Sequence, residues 1–282
     1  MTTKDSRTIL ITKASGRREP FDVQKLKESM RNAGAGEEVL EGIAEDIVSW
    51  VYDGAPTRKI YARAFSLLRK HKKRVASRYR LKQAIMELGP TGYPFEHFIG
   101  KVIEKMGFSV QVGQIVQGRY VRHEVDVVAT RDHRQLFVEC KYGQSADKAV
   151  SVQVPLYVRS RVDDIIEKRK ESEDYAGYSF GGGVATNTRF TSDAVDYGTG
   201  SGLLLLGWDY PAGDGLREII DRERIYPVTV LLSLTGQQKR VLLERGIVTC
   251  RQLSESPERS ALLQQSGAKH KALLRELEAI LD

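Results

Sequence analysis

The sequence predicts a multidomain α/β protein with a helical N-terminal segment, a mixed α/β central segment and a small helical C-terminal segment. Apolar residues recur at helical spacing over residues 23–88 and again after about residue 231, whereas residues 109–140 contain runs rich in β-branched side chains. The stretch GPTGYP, residues 89–94, breaks the first helical pattern. We therefore expect domains at residues 1–89, 90–228 and 229–282.

Composition narrows the classes of protein to consider. The chain has 282 residues, 41% of them hydrophobic, without an apolar run of about 18 residues or a signal-peptide pattern, so we expect a cytoplasmic protein with no membrane partner. Its two cysteines, Cys140 and Cys250, lie far apart, which argues against a zinc ribbon or a disulfide framework. The net charge of +7 suits a phosphate-rich partner, although many cytosolic proteins with other partners are also mildly basic.

The N-terminal segment reads as a β-hairpin followed by helices. Residues 8–25 give an apolar strand, a turn at Ser15 and Gly16, a short return strand and the start of a helix. Asp22 and Thr57 are residue types that cap helix N-termini, so we expect each to cap a helix.

The central segment predicts the element order α-β-β-β-α-β-α-β, of which the first six elements form the core. A helix begins at Pro94, three strands lie within residues 109–140, and a second helix covers residues 155–170. FGGGVAT then reads as a strand, Thr191 caps a short helix, and the fully apolar GLLLLGW suits the centre of a mixed sheet. The C-terminal segment shows only amphipathic helices around a turn at Gly246.

Two charged residues interrupt the apolar stretch FVECKY, residues 137–142. In a strand Glu139 and Lys141 point to the same face, and a hairpin can bring Asp126 beside them. An isolated E-x-K is more often a solvent-exposed ion pair. With Asp126 present, the two carboxylates form a pair that could hold a hard divalent cation such as Mg²⁺, with Lys141 beside the bound water.

These residues resemble the PD-(D/E)xK nuclease superfamily, and the branch that they resemble most is Mrr-like restriction endonucleases. The helix PFEHF places Glu96 at the position of that branch's helical acid, and residues 92–208 as a whole are similar to it. The resemblance implies a DNA endonuclease in which Asp126 and Glu139 bind Mg²⁺ or Mn²⁺, Lys141 assists the attacking water, and Glu96 adds a metal or water contact.

A weaker resemblance involves QVPLY, residues 153–157. It is similar to the Q-x-x-x-Y element of RecB-like nucleases and would add Gln153 to the catalytic residues. Pro155 leaves open whether Gln153 lies on the helix or just ahead of it, and ordinary helix capping is the alternative role.

The N-terminal segment resembles an ATP-cone, a helix bundle capped by a small β-hairpin, over about residues 8–88. The family's motif positions correspond here to Lys13, Glu19, Phe21, Lys25 and Thr57. The resemblance implies a regulatory ATP or dATP, with Lys13 and Lys25 near phosphates and Ile11 and Phe21 over the base. Ala14 replaces the arginine usual in the family, which leaves the nucleotide preference open.

The last fifty residues loosely resemble a helix-hairpin-helix or SAM-like module, which would hold DNA backbone; a structural helical cap is the alternative. For the whole chain, the sequence leaves a homo-oligomer possible. Two other functions stay open, namely a catalytically silent, nucleotide-sensing DNA-binding protein and a structural ion-pair cluster without metal affinity.

Overall fold

A computed structural model describes residues 9–13, 16–71, 73–145, 147–257 and 267–281. The chain forms two compact units, Met1–Leu81 and Lys82–Asp282. No helix in these ranges is both long and apolar enough to cross a membrane.

The first unit is a β-hairpin followed by helices. Its elements are β1 (Leu10–Thr12), β2 (Arg18–Pro20), α1 (Val23–Asn32), α2 (Glu37–Trp50), α3 (Thr57–His71) and α4 (Lys73–Tyr79). Asp22 caps α1 as expected, because its carboxylate accepts hydrogen bonds from the backbone N–H groups of Gln24 and Lys25. Ser15, in the expected turn, lies outside the described residues.

Two expectations for this unit are corrected by the structure. Thr57 is the first residue of α3 rather than its cap, and its hydroxyl donates to the carbonyl oxygen of Thr12 at 3.0 Å. The helical pattern that extends to residue 88 is interrupted near its end, where a turn at Arg80 separates α4 from α5 (Leu81–Met86).

The second unit is built around a five-stranded mixed sheet in the order β3-β4-β5-β7-β9. Its elements are α5, α6 (Tyr93–Lys105), β3 (Ser109–Gln117), β4 (Arg122–Arg131), β5 (Arg134–Lys141), β6 (Ala149–Val150), α7 (Gln153–Arg169), β7 (Ser179–Thr186), β8 (Arg189–Phe190), α8 (Ser192–Gly200), β9 (Leu204–Leu206), α9 (Leu216–Glu223), α10 (Gly236–Glu244), α11 (Cys250–Glu255) and α12 (Gly267–Leu281). Strand β5 is the middle strand, antiparallel to β4 and parallel to β7.

The sheet differs from the sequence expectation in two respects. The apolar run GLLLLGW forms the three-residue edge strand β9 rather than a central strand, and Leu204 is 49% exposed. Two short strands, β6 and β8, pair with each other in parallel and were not predicted, because two residues are too few to show a period.

The core of this unit holds the middle strands in place. Apolar residues of α7, including Val158, Val162 and Ile165, pack in one buried cluster with Phe137 of β5 and Val184 of β7. The hairpin between β4 and β5 turns at Asp132 and His133, both with positive φ, as a tight two-residue turn requires. These contacts fix α7 against the sheet beside the ends of β4 and β5.

Candidate active site

Strands β4 and β5 place Asp126 beside Glu139. Val127 pairs with Val138, and the next residues along the two antiparallel strands are Asp126 and Glu139. The Oδ2 atom of Asp126 accepts a hydrogen bond of 2.6 Å from the backbone N–H of Cys140. The carboxylate of Asp126 thus takes the place of a backbone partner where the two strands separate.

Glu139 is buried and its carboxylate has several partners. Its Oε1 accepts hydrogen bonds from Lys141 Nζ at 2.5 Å and from the Tyr157 hydroxyl at 2.6 Å, and its Oε2 accepts one from Arg161. Burial alone would raise the pKa of Glu139, but the hydrogen bonds of Lys141 and Tyr157 and the charge of Arg161 outweigh it. The pKa is therefore lowered, and Glu139 is ionised at neutral pH.

The ring of Tyr157 lies close to the cationic groups of both Lys141 and Arg161. Lys141 Nζ lies 5.5 Å from the ring centroid and the guanidinium of Arg161 lies 5.2 Å from it. The pKa of Lys141 is raised well above its usual range despite burial, because Glu139 and Tyr157 stabilise the ammonium form. Lys141 therefore carries a fixed positive charge next to two carboxylates.

Asp126 and Glu96 have too few cationic or hydrogen-bonding partners to offset their burial, so their pKa values are raised. Burial, followed by the charge of Glu139, raises the pKa of Asp126 to about 6. On α6, burial and then the charges of Asp126, Glu124 and Glu139 raise the pKa of Glu96 to about 7. The shifts show that Glu96 belongs to the same electrostatic cluster, and that this cluster has more negative than positive charge to accommodate.

The cluster is open on the β3 side. Val112 pairs with Val127 and Gln114 pairs with Val125, so Gly113 lies across from Asp126. Gly113 has a φ of +65°, and a side chain built there would meet nothing within 4 Å. The backbone beside Asp126 therefore leaves room for a ligand.

The donor set suits a divalent cation that takes only part of its ligands from the protein. Among the residues that the structure describes, no group of three or more His, Cys, Asp or Glu side chains forms a metal cage. Asp126 and Glu139 supply two hard carboxylate ligands, and Mg²⁺ typically uses one or two carboxylates and takes its other ligands from water and substrate phosphate. The charge excess at Asp126 and Glu96 suits such a cation.

The structure joins some of the sequence-predicted residues and not others. It brings Asp126, Glu139 and Lys141 together, with Glu96 in the same field. Gln153 is the first residue of α7 and its side chain is exposed. Sequence reasoning missed Tyr157 and Arg161 as partners of Glu139. The available signal was helical spacing: Tyr157 is the last residue of QVPLY, and Arg161, four residues later, lies on the same helix face.

The expected nucleotide residues of the first unit lie around its hairpin. Lys13 forms an ion pair of 2.9 Å with Glu19, and Arg17 forms one of 3.3 Å. The pKa of Glu19 is lowered chiefly by the Lys13 hydrogen bond, and also by the Arg17 hydrogen bond and the charge of Lys25. Phe21 is half-buried against the helical core, whereas Ile11 is 6% exposed within it and offers little surface to a base. Ala14 lies outside the described residues.

Comparison with known families identifies two parts of the second unit. Residues 90–209 match the family model of the Mrr catalytic domain, described as restriction endonuclease. The match supports an Mrr-like nuclease domain. It contains Glu96, Asp126, Glu139 and Lys141, and residues 226–281 match a second family model, described as AF1548-like, C-terminal.

Individual relatives match longer stretches of the chain than either family model. An uncharacterized protein of Archaeoglobus fulgidus is 27% identical over 184 residues, which are 65% of this chain and 99% of the relative. A crystal structure described as protein of unknown function AF1548 is 26% identical, with a TM-score of 0.54, and the match covers 68% of this chain and 98% of that one. The MspJI restriction endonuclease in complex with a 27-mer oligonucleotide is 13% identical, with a TM-score of 0.38 over 61% of this chain and 36% of that one.

Proposed function

We propose that the protein is a metal-dependent DNA endonuclease whose activity responds to a nucleotide bound by the first unit. One observation carries the nuclease part. Within a domain that matches restriction endonucleases, Asp126 and Glu96 are acids with raised pKa values beside an ion-paired Glu139 and Lys141. A structural ion-pair cluster has no need for the two extra acids.

Each residue has a role in this proposal. Asp126 and Glu139 would hold Mg²⁺ or Mn²⁺, which when bound makes water more acidic and polarises the scissile phosphodiester. Lys141, held by Glu139, offsets the negative charge that develops on the phosphate. Glu96 has a pKa of about 7, so its carboxyl can accept or return a proton near neutral pH.

Support for the nucleotide comes from the charges around the first hairpin. Lys13, Arg17 and Lys25 all lower the pKa of Glu19, which places four charged groups close together. A phosphate that displaced the Glu19 carboxylate from Lys13 would gain a charge-assisted hydrogen bond. Either ATP or dATP would use this contact, and Thr57, bonded to Thr12 of β1, ties α3 to the hairpin.

One observation favours a second function, a catalytically silent DNA-binding protein. The Glu139 carboxylate already accepts from Lys141, Tyr157 and Arg161, so a metal would have to share it with these donors. In the silent protein the network would only stabilise the fold, and DNA would bind without being cut.

A cleavage assay separates the two functions. Supercoiled plasmid is incubated with Mg²⁺ or Mn²⁺ and with wild type, Asp126→Ala, Lys141→Ala or Lys101→Ala. Lys101 pairs with the exposed Glu104 on α6, so it controls for loss of a lysine ion pair. We expect wild type and Lys101→Ala to cut, and the other two to be slower by about 10²-fold or more. DNA binding without cutting by all four would favour the silent protein.

The nucleotide is tested by equilibrium binding of ATP and dATP to the full chain. We expect Lys13→Ala to weaken binding, because the phosphate loses its cation, and Lys27→Ala to leave it unchanged, because Lys27 is paired with Glu41 on α2. Equal affinity of both variants and wild type would refute a phosphate contact at Lys13.

A further inference from the structure

The turn between β3 and β4 displays apolar side chains to solvent. Tyr120 is 76% exposed and Val121 is 56% exposed, and Ile115 on β3 is 69% exposed. Arg119 and Arg122, on either side of the first two, are also exposed. We name residues 118–122 the β3–β4 tip. Exposed apolar side chains that lie next to each other, such as Tyr120 and Val121, often mark a binding surface.

The backbone of the tip is fixed by one carboxylate of α7. Asp164 accepts a hydrogen bond of 3.0 Å from the backbone N–H of Tyr120, and its Oδ2 lies 2.6 Å from Nε2 of His123. The backbone N–H of Arg119 donates to the carbonyl oxygen of Asp164 at 3.0 Å. A Cβ atom at Gly118 would collide with the Asp164 carboxylate, so this approach needs glycine. The tip is therefore a held structure that presents Tyr120 and Val121 outward.

The same helix joins the tip to the candidate active site. Tyr157, Arg161 and Asp164 are spaced i, i+4, i+7 on α7 and so share one face. Tyr157 and Arg161 hold Glu139, while Asp164 holds the tip, and Arg161 also donates to the carbonyl oxygen of Glu124 on β4. The position of the tip relative to Asp126 and Glu139 is thus fixed by one rigid element.

We propose that the β3–β4 tip is a duplex-DNA contact, in which Tyr120 and Val121 enter a groove beside the phosphodiester bound at Asp126 and Glu139. This rests on the proposed nuclease function. Five residues of strand separate Val121 from Asp126, which is about 17 Å and corresponds to roughly five base pairs of duplex. Apolar side chains insert as wedges between base steps in a groove. Arg122 supplies positive charge for the flanking phosphates, and Arg119, 3.7 Å from Glu167 and 3.9 Å from Glu171, would exchange these exposed ion pairs for a phosphate.

DNA binding by the full chain tests the tip. The affinity for a fluorescent duplex is measured in EDTA, where no cleavage occurs, for wild type and for Tyr120→Ala/Val121→Ala. The control is Val48→Ala/Tyr52→Ala, which removes a valine and a tyrosine of the first unit that are 48% and 46% exposed. Because all four side chains are exposed, neither variant should change the urea midpoint of unfolding.

We expect the tip variant to bind roughly fivefold or more weakly, with an unchanged dependence of affinity on salt because no phosphate contact is removed. The control should bind like wild type. Equal affinity of tip variant and wild type would overturn the tip proposal and leave the nuclease proposal standing. A loss of affinity equal to that of the control would also overturn it. Absence of DNA binding by wild type would overturn the tip proposal, whereas the nuclease proposal is tested separately by plasmid cleavage with Mg²⁺ or Mn²⁺.

Discussion

The two units each contain a lysine–glutamate pair near a β-hairpin, and the pairs differ in what surrounds the carboxylate. Lys13 and Lys141 have the same side-chain exposure, 38%, whereas Glu19 is 23% exposed and Glu139 is 9% exposed. Glu19 is closer to water, and its pKa is lowered by the hydrogen bond and charge of Lys13, by a hydrogen bond from Arg17 and by the charge of Lys25. The pKa of Glu139 is lowered although burial opposes this, because Lys141 and Tyr157 donate hydrogen bonds to the carboxylate and Lys141 and Arg161 add positive charge. The more deeply buried carboxylate thus has three side-chain donors and the more exposed one has two, as expected where burial removes water from a charged group.

Within the second unit the same comparison separates Glu139 from Asp126. Both carboxyls are substantially shielded from water, but Asp126 receives only the backbone N–H of Cys140 as a direct partner and its pKa rises to about 6. The site therefore contains one compensated and one uncompensated acid side by side. We interpret the uncompensated acid as the place for a cation that the protein itself does not provide.

The largest expected effect on stability comes from removing a partner of the buried carboxylate. Arg161→Ala should lower the free energy of unfolding by about 2 kcal/mol, because Glu139 stays buried with one cation fewer. The matched control is Arg159→Ala: the two arginine side chains are 25% and 23% exposed, but Arg159 pairs with Asp163, which is 54% exposed. The control should cost less than about 1 kcal/mol. Urea unfolding measures the free energy of unfolding of both variants. Equal losses would show that the burial of Glu139 does not increase the cost of removing its partner.

A second prediction concerns the pH dependence of stability without metal. The pKa of Asp126 is raised in the folded chain from its usual 3.8 to about 6, so folding favours the protonated form. The resulting stabilisation is present below about pH 4 and is lost as pH rises through 6. Asp126→Asn, which keeps an acceptor for Cys140, should therefore be more stable than wild type at pH 8 in EDTA, by roughly 2 kcal/mol. A variant less stable than wild type at pH 8 would show that the carboxylate is already compensated.

The smallest effect should follow from breaking the exposed pair. Glu19→Gln leaves Lys13 and Arg17 in contact with water, so the urea midpoint of unfolding should not change measurably. A shift comparable to that of Arg161→Ala would mean that exposure does not distinguish the two pairs.

The sequence predicted the part of the site that depends on local alternation and missed the part that depends on tertiary packing. Glu139 and Lys141 share a strand face because they are two residues apart, and the hairpin brings in Asp126. Tyr157 and Arg161 reach Glu139 from 18 and 22 residues away, and no local pattern shows which helix face meets the strand. The edge position of β9 was missed for a similar reason, because an apolar run alone does not distinguish an edge strand covered by helices from a central strand.

The central claim is that Asp126 is the cation site. Its most direct test is a calorimetric measurement of Mn²⁺ binding near pH 7 to DNA-free wild type, Asp126→Asn and Asp163→Asn. Asp163 is an exposed acid on α7 and serves as the control. If the uncompensated Asp126 is the cation site, wild type and Asp163→Asn should bind one ion with similar affinity, and Asp126→Asn should bind it about tenfold or more weakly. Equal affinity of all three proteins would contradict the claim.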